Sequence, residues 1–436
     1  MRFTLYILIP LIIIQCNPSN SPETESLRMG LGKQLIKTEK KSDSSGKAKI
    51  LAQWRGPSRD GVYPCRNLLK RWPDGGPELL WKYENLGVGY ASAAVTDEMV
   101  YTVATQKDTS IILAFNHLGK LLWQRKMGPE FRDNYPGSRC TPIICQDYGY
   151  FLSGVGVLYC FNSITGELKW IKDMKQAFGG RYNNSGYSEN LVVDGDMVIC
   201  TPSGDVVSVA ALNRKTGNLI WKSEGKGESN AYANPILIER GGLKIFVIQM
   251  QEAVIGIDIS KGQRLWEYPM ESDLHSNTPL YKDGCLLLID GWRGRSVKLE
   301  LSEDGRSLRP LWKSSYLAAE QGDVVLLGNR LYGADVANKS FNCVDWETGR
   351  LLYKITRNSK PNRIATVTAD SLIYCYSGDG YFYLVKALEN KFETRGRITI
   401  PGDKRYHYSH PVIHNKRLYI RHDNALYVYN IAAGST

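Results

Sequence analysis

Asn162-Ser163-Ile164-Thr165-Gly166-Glu167-Leu168-Lys169-Trp170 and Asn213-Arg214-Lys215-Thr216-Gly217-Asn218-Leu219-Ile220-Trp221 are two copies of one phrase. A polar turn closes on Thr-Gly, an apolar residue or two follow, and a Trp ends the run. That Trp recurs as Trp81, Trp123, Trp170, Trp221, Trp266 and Trp312, roughly 41 to 51 residues apart, and Tyr353 continues the series. Self-similarity at about 40 to 45 residues points to a β-propeller, in which each repeat is one blade of a closed ring.

Between the anchors the chain has the habit of antiparallel strands, with short apolar or alternating runs cut by Gly, Asn and Asp. Residues 93–101, 190–198 and 278–286 each read as two strands joined at Asp-Glu, Asp-Gly-Asp or Asp-Gly, a hairpin signal. Dividing the chain after each anchor gives six units through Tyr353, a seventh to about Ile398, and an eighth that stops after Asn430. The eighth lacks an outer Trp strand, and the orphan Leu79-Leu80-Trp81-Lys82-Tyr83 supplies one. Pairing the two ends of the chain leaves no interior edge open. The expected fold is all-β: an eight-bladed propeller of four-stranded antiparallel blades, closed by the strand near Trp81, with seven blades as the alternative. Each anchor reads as structural, because an aromatic packed between blades buries on the order of 150–250 Å² and stabilises by a few kcal/mol. The Gly before it reads as a turn residue with a backbone angle that other residues resist.

At 436 residues and 43% hydrophobic, the chain can fill such a ring. Its net charge of +11 is scattered over turns and strand edges without a dense basic block, which argues against nucleic acid as a partner. The N-terminus is more specific. Arg2 precedes an apolar run from Leu5 to Ile14 that ends at Gln15-Cys16. Such a run is too short to span a bilayer and suits a signal peptide, residues 1–16. Cys16 resembles a lipoprotein cleavage site, although Gln15 departs from the small residue usual there; a plain secretory signal is the alternative. Residues 17–50 are polar and aperiodic, and read as a flexible tether. Residues 51–436 are assigned to the propeller. Of the remaining cysteines, six lie in apolar strand segments as small hydrophobes, while Cys65 and Cys140 fall in looser sequence and are open to pairing. The absence of C-x-x-C leaves zinc, haem and thioredoxin-like motifs unsupported.

The repeat small-x-Asp/Asn-x-x-Thr-Gly-x-x-x-Trp resembles the docking motif of pyrroloquinoline quinone (PQQ)-type propellers. It is complete at residues 160–170 and 211–221 and partial at 256–266 and 343–353. Gln53-Trp54-Arg55-Gly56-Pro57-Ser58-Arg59-Asp60-Gly61-Val62 and Gly186-Tyr187-Ser188-Glu189-Asn190 resemble segments of an exported bacterial subgroup. Two branches follow from the resemblance. Quinoprotein dehydrogenases hold PQQ with Ca²⁺ and oxidise alcohols or sugars. BamB-like lipoproteins bind no cofactor and scaffold outer-membrane protein assembly. The chain lacks the adjacent Cys pair and haem motif of many of the former, and its length, leader and compact blades resemble the latter. The expectation is therefore an exported, lipid-anchored, monomeric and non-catalytic scaffold of the periplasm or outer membrane, without a cofactor. Its partners would be envelope proteins or a small polar or carbohydrate ligand, with a PQQ- and Ca²⁺-dependent alcohol or carbohydrate oxidoreductase as the alternative.

Residues entering the innermost strand of a blade line the channel mouth. That ring would draw on Tyr90, Arg139, Tyr187, Glu189, Tyr232, Asn234, His275, Asn277, Tyr408 and His410, joined by Arg181, Tyr182 and Asn183 from a polar loop. It reads either as a funnel for a polar or anionic ligand or as a solvated channel. Glu189 is the natural catalytic carboxylate, and with Asn234 or Asn277 the natural oxygen ligand set for Ca²⁺. His407 and His410, three apart on an expected strand, point to opposite faces and make a poor metal pair. No nucleophile elbow, P-loop or dinucleotide fingerprint occurs.

Overall fold

A computed structural model describes residues 49–356, 363–402 and 407–434. The leader, Cys16 and almost all of the tether lie outside the described residues. Eight antiparallel sheets follow one another along the chain, at residues 94–129, 143–173, 192–224, 236–269, 280–314, 325–356, 364–399 and 412–430; they are numbered blades 1 to 8. In most, the middle strands are sealed and the outer strand is partly exposed. In blade 3, Val207–Asn213 is buried at all but its last residue, whereas in Leu219–Glu224 only Trp221 and Ser223 are covered. Period-two alternation on a strand with one face packed is the expected consequence.

Three strands from the N-terminal side complete the ring. Strand β1 (Ile50–Ala52) adds to the inner edge of blade 2, and β2 (Val62–Tyr63) runs parallel to the innermost strand of blade 7. Strand β3 (Leu79–Glu84) is the outer strand of blade 8, with Trp81 opposite Val428. The closure expected of Trp81 is thus observed, and the count is eight rather than seven.

The anchors sit in the seams between blades. Trp81, Trp170, Trp221, Trp266 and Trp312 each donate the indole N–H to a turn carbonyl of the next blade: His117, Arg214, Ile259, Gly305 and Trp346. Tyr353 donates its hydroxyl to Leu388 in the same way. The repeated Gly has a second duty beyond its backbone angle. At Gly166, Gly217, Gly262 and Gly349 a Cβ would stand 2.5 to 2.9 Å from the ring of the preceding blade's Trp. The Thr-Gly turn is therefore the seat on which the neighbouring anchor rests. Gly and Trp recur together because at these seams the one seats the other.

The cysteines resolve simply. Cys65 and Cys140 are both free thiols, the latter buried. A five-residue helix, Met174–Phe178, follows the outer strand of blade 2 and is capped by Asp173 and Gly179. Among the described residues no helix is long and apolar enough to cross a membrane.

Candidate functional site: a cup floored by the N-terminal segment

The stretch between β1 and β2 fills the axis of the ring. Within the six residues from Trp54 to Arg59, its side chains reach the inner ends of four blades. Arg59 donates to the carbonyls of Asn190 and Leu191 at blade 3 (2.5 and 2.7 Å) and of Pro235 at blade 4 (3.1 Å). Arg55 donates to Val324 at blade 6 and pairs with Asp323 at 3.1 Å, both side chains being fully enclosed. The Trp54 ring meets His410 of blade 8 edge-on at 4.9 Å. Gly61 makes the fit possible, since a Cβ there would stand 2.6 Å from Arg55 Nη2. Arg55, Arg59 and Asp323 all hold left-handed backbone, with φ between +56° and +59°.

The electrostatics follow from burial. Desolvation pushes the Asp323 carboxyl upward, but Arg55 and His410 outweigh it and hold it below its ordinary range. Desolvation also lowers His410, so the imidazole 3.2 Å from Asp323 is neutral and the ion pair belongs to Arg55. Arg59 is lowered to about 10 by desolvation, offset in part by Glu189. Glu189 itself is raised to about 7, because burial outweighs its hydrogen bonds from Thr201 and the attraction of Arg59.

This last shift has a sign that can be checked. A carboxyl whose folded pKa is raised stabilises the fold while protonated, and that stability is lost as pH climbs from the ordinary value near 4.5 through about 7. Glu189→Gln is expected to match the wild type near pH 4.5 and to become more stable by about 3 kcal/mol above pH 7. Urea unfolding at a series of pH values measures it; a difference that does not grow with pH would refute the shift.

Above the floor lie two adjoining chambers of about 70 Å³ each. Trp54, His410, Asn190, Asn234 and Ser188 border the deeper one; Tyr135, Trp292 and Arg363 border the outer one. Tyr90, Arg139, Tyr232, Ser276, Gln321 and Tyr408 face both. Of the residues expected at the mouth, Tyr90, Arg139, Tyr232, Asn234, Tyr408 and His410 are therefore brought together. The others turn elsewhere. Tyr187 is buried with its hydroxyl on Pro202, and Glu189 points into blade 3 at Thr201. His275 is enclosed against the Met270 carbonyl, and Asn277 donates to Ala319. Arg181 pairs with Asp205 at the surface, Tyr182 packs on Phe131 and Tyr187, and Asn183 donates to Asn230. Glu189, Asn234 and Asn277 do not converge: Asn234 accepts from Asn190, and each of the other two is tied within its own seam. His407 and His410 part as expected, His407 stacking on His422 at 3.8 Å.

Trp54, Trp292, Arg363 and Gln321 were missed. The two Trp had a legible signal, since neither keeps the period of the anchors. Among the described residues no group of three or more His, Cys, Asp or Glu stands where it could hold a metal ion.

Solved structures with this fold lie on both branches. BamB from Moraxella catarrhalis is 14% identical, with a TM-score of 0.58 over 82% of this chain and 98% of its own. Quinohemoprotein alcohol dehydrogenase from Comamonas testosteroni is 10% identical, with a TM-score of 0.64 over 87% and 80%. A europium-containing methanol dehydrogenase is 12% identical, with a TM-score of 0.60 over 85% and 89%. At these identities the likeness establishes the propeller alone. No curated protein matches the sequence significantly. A family model described as "Outer membrane protein assembly factor BamB" matches residues 107–355, more than half of the chain, and the chain belongs to that family of PQQ-like propellers.

Proposed function

We propose that this chain is a non-catalytic binding scaffold of the bacterial envelope, exported by its leader and held at the membrane by acyl chains on Cys16. The observation that carries the first half is the filled axis. PQQ is three fused rings bearing carboxylates, and the Ca²⁺ it works with needs several converging oxygen ligands. Trp54, Arg55 and Arg59 take up the centre, and the chambers above them are small. The candidate ligands Glu189, Asn234 and Asn277 are engaged separately. These residues do not fit the cofactor. The second half rests on the apolar run from Leu5 to Ile14 before Cys16 and on the family, whose described role is outer-membrane protein assembly. One acyl chain anchors only marginally, so the proposal requires a multiply acylated Cys16.

Two measurements test it. Mixed with PQQ and Ca²⁺, the purified full-length chain is expected to show neither saturable quinone absorbance nor dye-linked alcohol oxidation. Turnover would replace the scaffold reading with the oxidoreductase one. In cells fed radiolabelled palmitate, the wild type is expected to carry label and sediment with membranes. Cys16→Ala should do neither; equal behaviour of the two would remove the anchor.

A further inference from the structure

The mouth of the cup has a composition of its own. Trp292 and Tyr135 stand at its rim, 45% and 44% exposed. Tyr408 lies 6.1 Å from Tyr135 and 5.6 Å from Tyr90, ring centre to ring centre. Two of these walls are strained, since Tyr135 and Tyr232 hold φ of +56° and +67°. A bulky residue in that region costs about 1–3 kcal/mol, and such residues cluster at binding sites.

Charge selects the kind of ligand. Arg139 donates to Tyr232, Gly137, Asn134 and Tyr135 at 2.5 to 2.9 Å, and its plane lies 4.5 Å over Phe131. It is a wall of the cup, with its donors engaged, rather than a receptor for anions. Arg363 stands 3.5 Å from Glu320 and donates to the Tyr408 hydroxyl, so its charge is answered by a carboxylate, whereas every partner of Arg139 is neutral. An aromatic cage alone would suit a quaternary ammonium, but the uncompensated Arg139 guanidinium in the same wall repels a cation while its engaged donors leave none for an anion. A neutral guest remains.

That guest must carry hydrogen-bonding groups. The Gln321 Oε1 atom is buried without a partner, on a side chain that borders both chambers. A ligand hydroxyl entering the chamber would donate to it in place of solvent. Arg363 brings guanidinium donors to the wall of the outer chamber, 5.9 Å from the centre of the Trp292 ring. A six-membered ring with one apolar face and a rim of hydroxyls meets all of these conditions.

We propose that the cup is a carbohydrate site: a neutral pyranose stacks on Trp292, and its hydroxyls meet Gln321 and Arg363. The site goes beyond the scaffold reading and does not depend on the acylation of Cys16.

The full-length chain in a non-glycosidic detergent is titrated with cellotetraose, maltotetraose and chitotetraose, by calorimetry and Trp fluorescence. Inorganic phosphate and choline serve as the anionic and cationic probes. Saturable binding of at least one oligosaccharide is expected, weakened about tenfold by Trp292→Ala and by Gln321→Ala. Both variants should keep the unfolding midpoint of the wild type, since Trp292 is half exposed and Gln321 Oε1 makes no bond in the protein. Failure of all three sugars to bind overturns the proposal, as does binding of phosphate or choline alone. So does oligosaccharide binding that both variants leave intact. Binding that persists in Cys16→Ala separates this site from the question of anchoring.

Discussion

Arg55→Ala is expected to lower the stability of the propeller by about 3–5 kcal/mol, one of the two largest losses a single substitution should produce here. The reason is what it leaves behind. Asp323 is about 1% exposed, and without the guanidinium its carboxylate would face only a neutral His410 and the hydrogen bonds of Thr278. Asp323→Ala should cost a similar amount by stranding Arg55. Replacing both partners, Arg55→Met with Asp323→Leu, should recover most of the loss, because two apolar side chains remove the desolvation that each lone charge would suffer. Urea unfolding of the two single variants and the double variant closes the cycle. Equal losses that simply add would show that the pair is not coupled. The pair also gives acid lability: Asp323 is held below its ordinary range. Its stabilisation is therefore complete above that range and disappears as pH falls through the folded value.

Trp221→Ala is the second. The ring is 9% exposed, donates to Ile259 at 2.7 Å, and rests on Gly262 of the next blade. Truncation should cost about 3–5 kcal/mol through the cavity it opens and the carbonyl it abandons. Gly262→Ala attacks the same seam from the other side. Its φ is +71°, and the new methyl would stand 2.5 Å from the Trp221 ring. Thermal unfolding should show both midpoints falling. A wild-type midpoint for Gly262→Ala would mean that neither the seat nor the left-handed turn explains the repeated Gly.

The difference between what the sequence disclosed and what it hid is one of range. The anchor and its turn recur within eleven residues, so the period reports the blades directly. The hub is made by partners far apart in the chain. Arg55 with Asp323 and Val62 with Thr368 join positions with no local signature. Within the cup, the errors were errors of parity. Ser188 and Asn190 line it while Glu189 between them turns into the blade; Ser276 lines it while His275 and Asn277 on either side do not. Successive side chains at the start of a strand face opposite ways, so a one-residue slip exchanges lining for packing. Tyr232, Asn234, Tyr408 and His410 were assigned the right parity and do face the cup.

The filled axis also bears on how the ring is assembled. Hairpins within a blade join neighbours in sequence and can form early. Yet the three N-terminal strands rest on residues 144–145, 368–369 and 425–429, all far from them along the chain. High contact order of this kind slows folding, because distant segments must meet before any bond rewards the meeting. Closure of hub and ring is therefore expected to follow the hairpins, and until it occurs Trp54, Arg55 and Trp81 lack the partners that cover them.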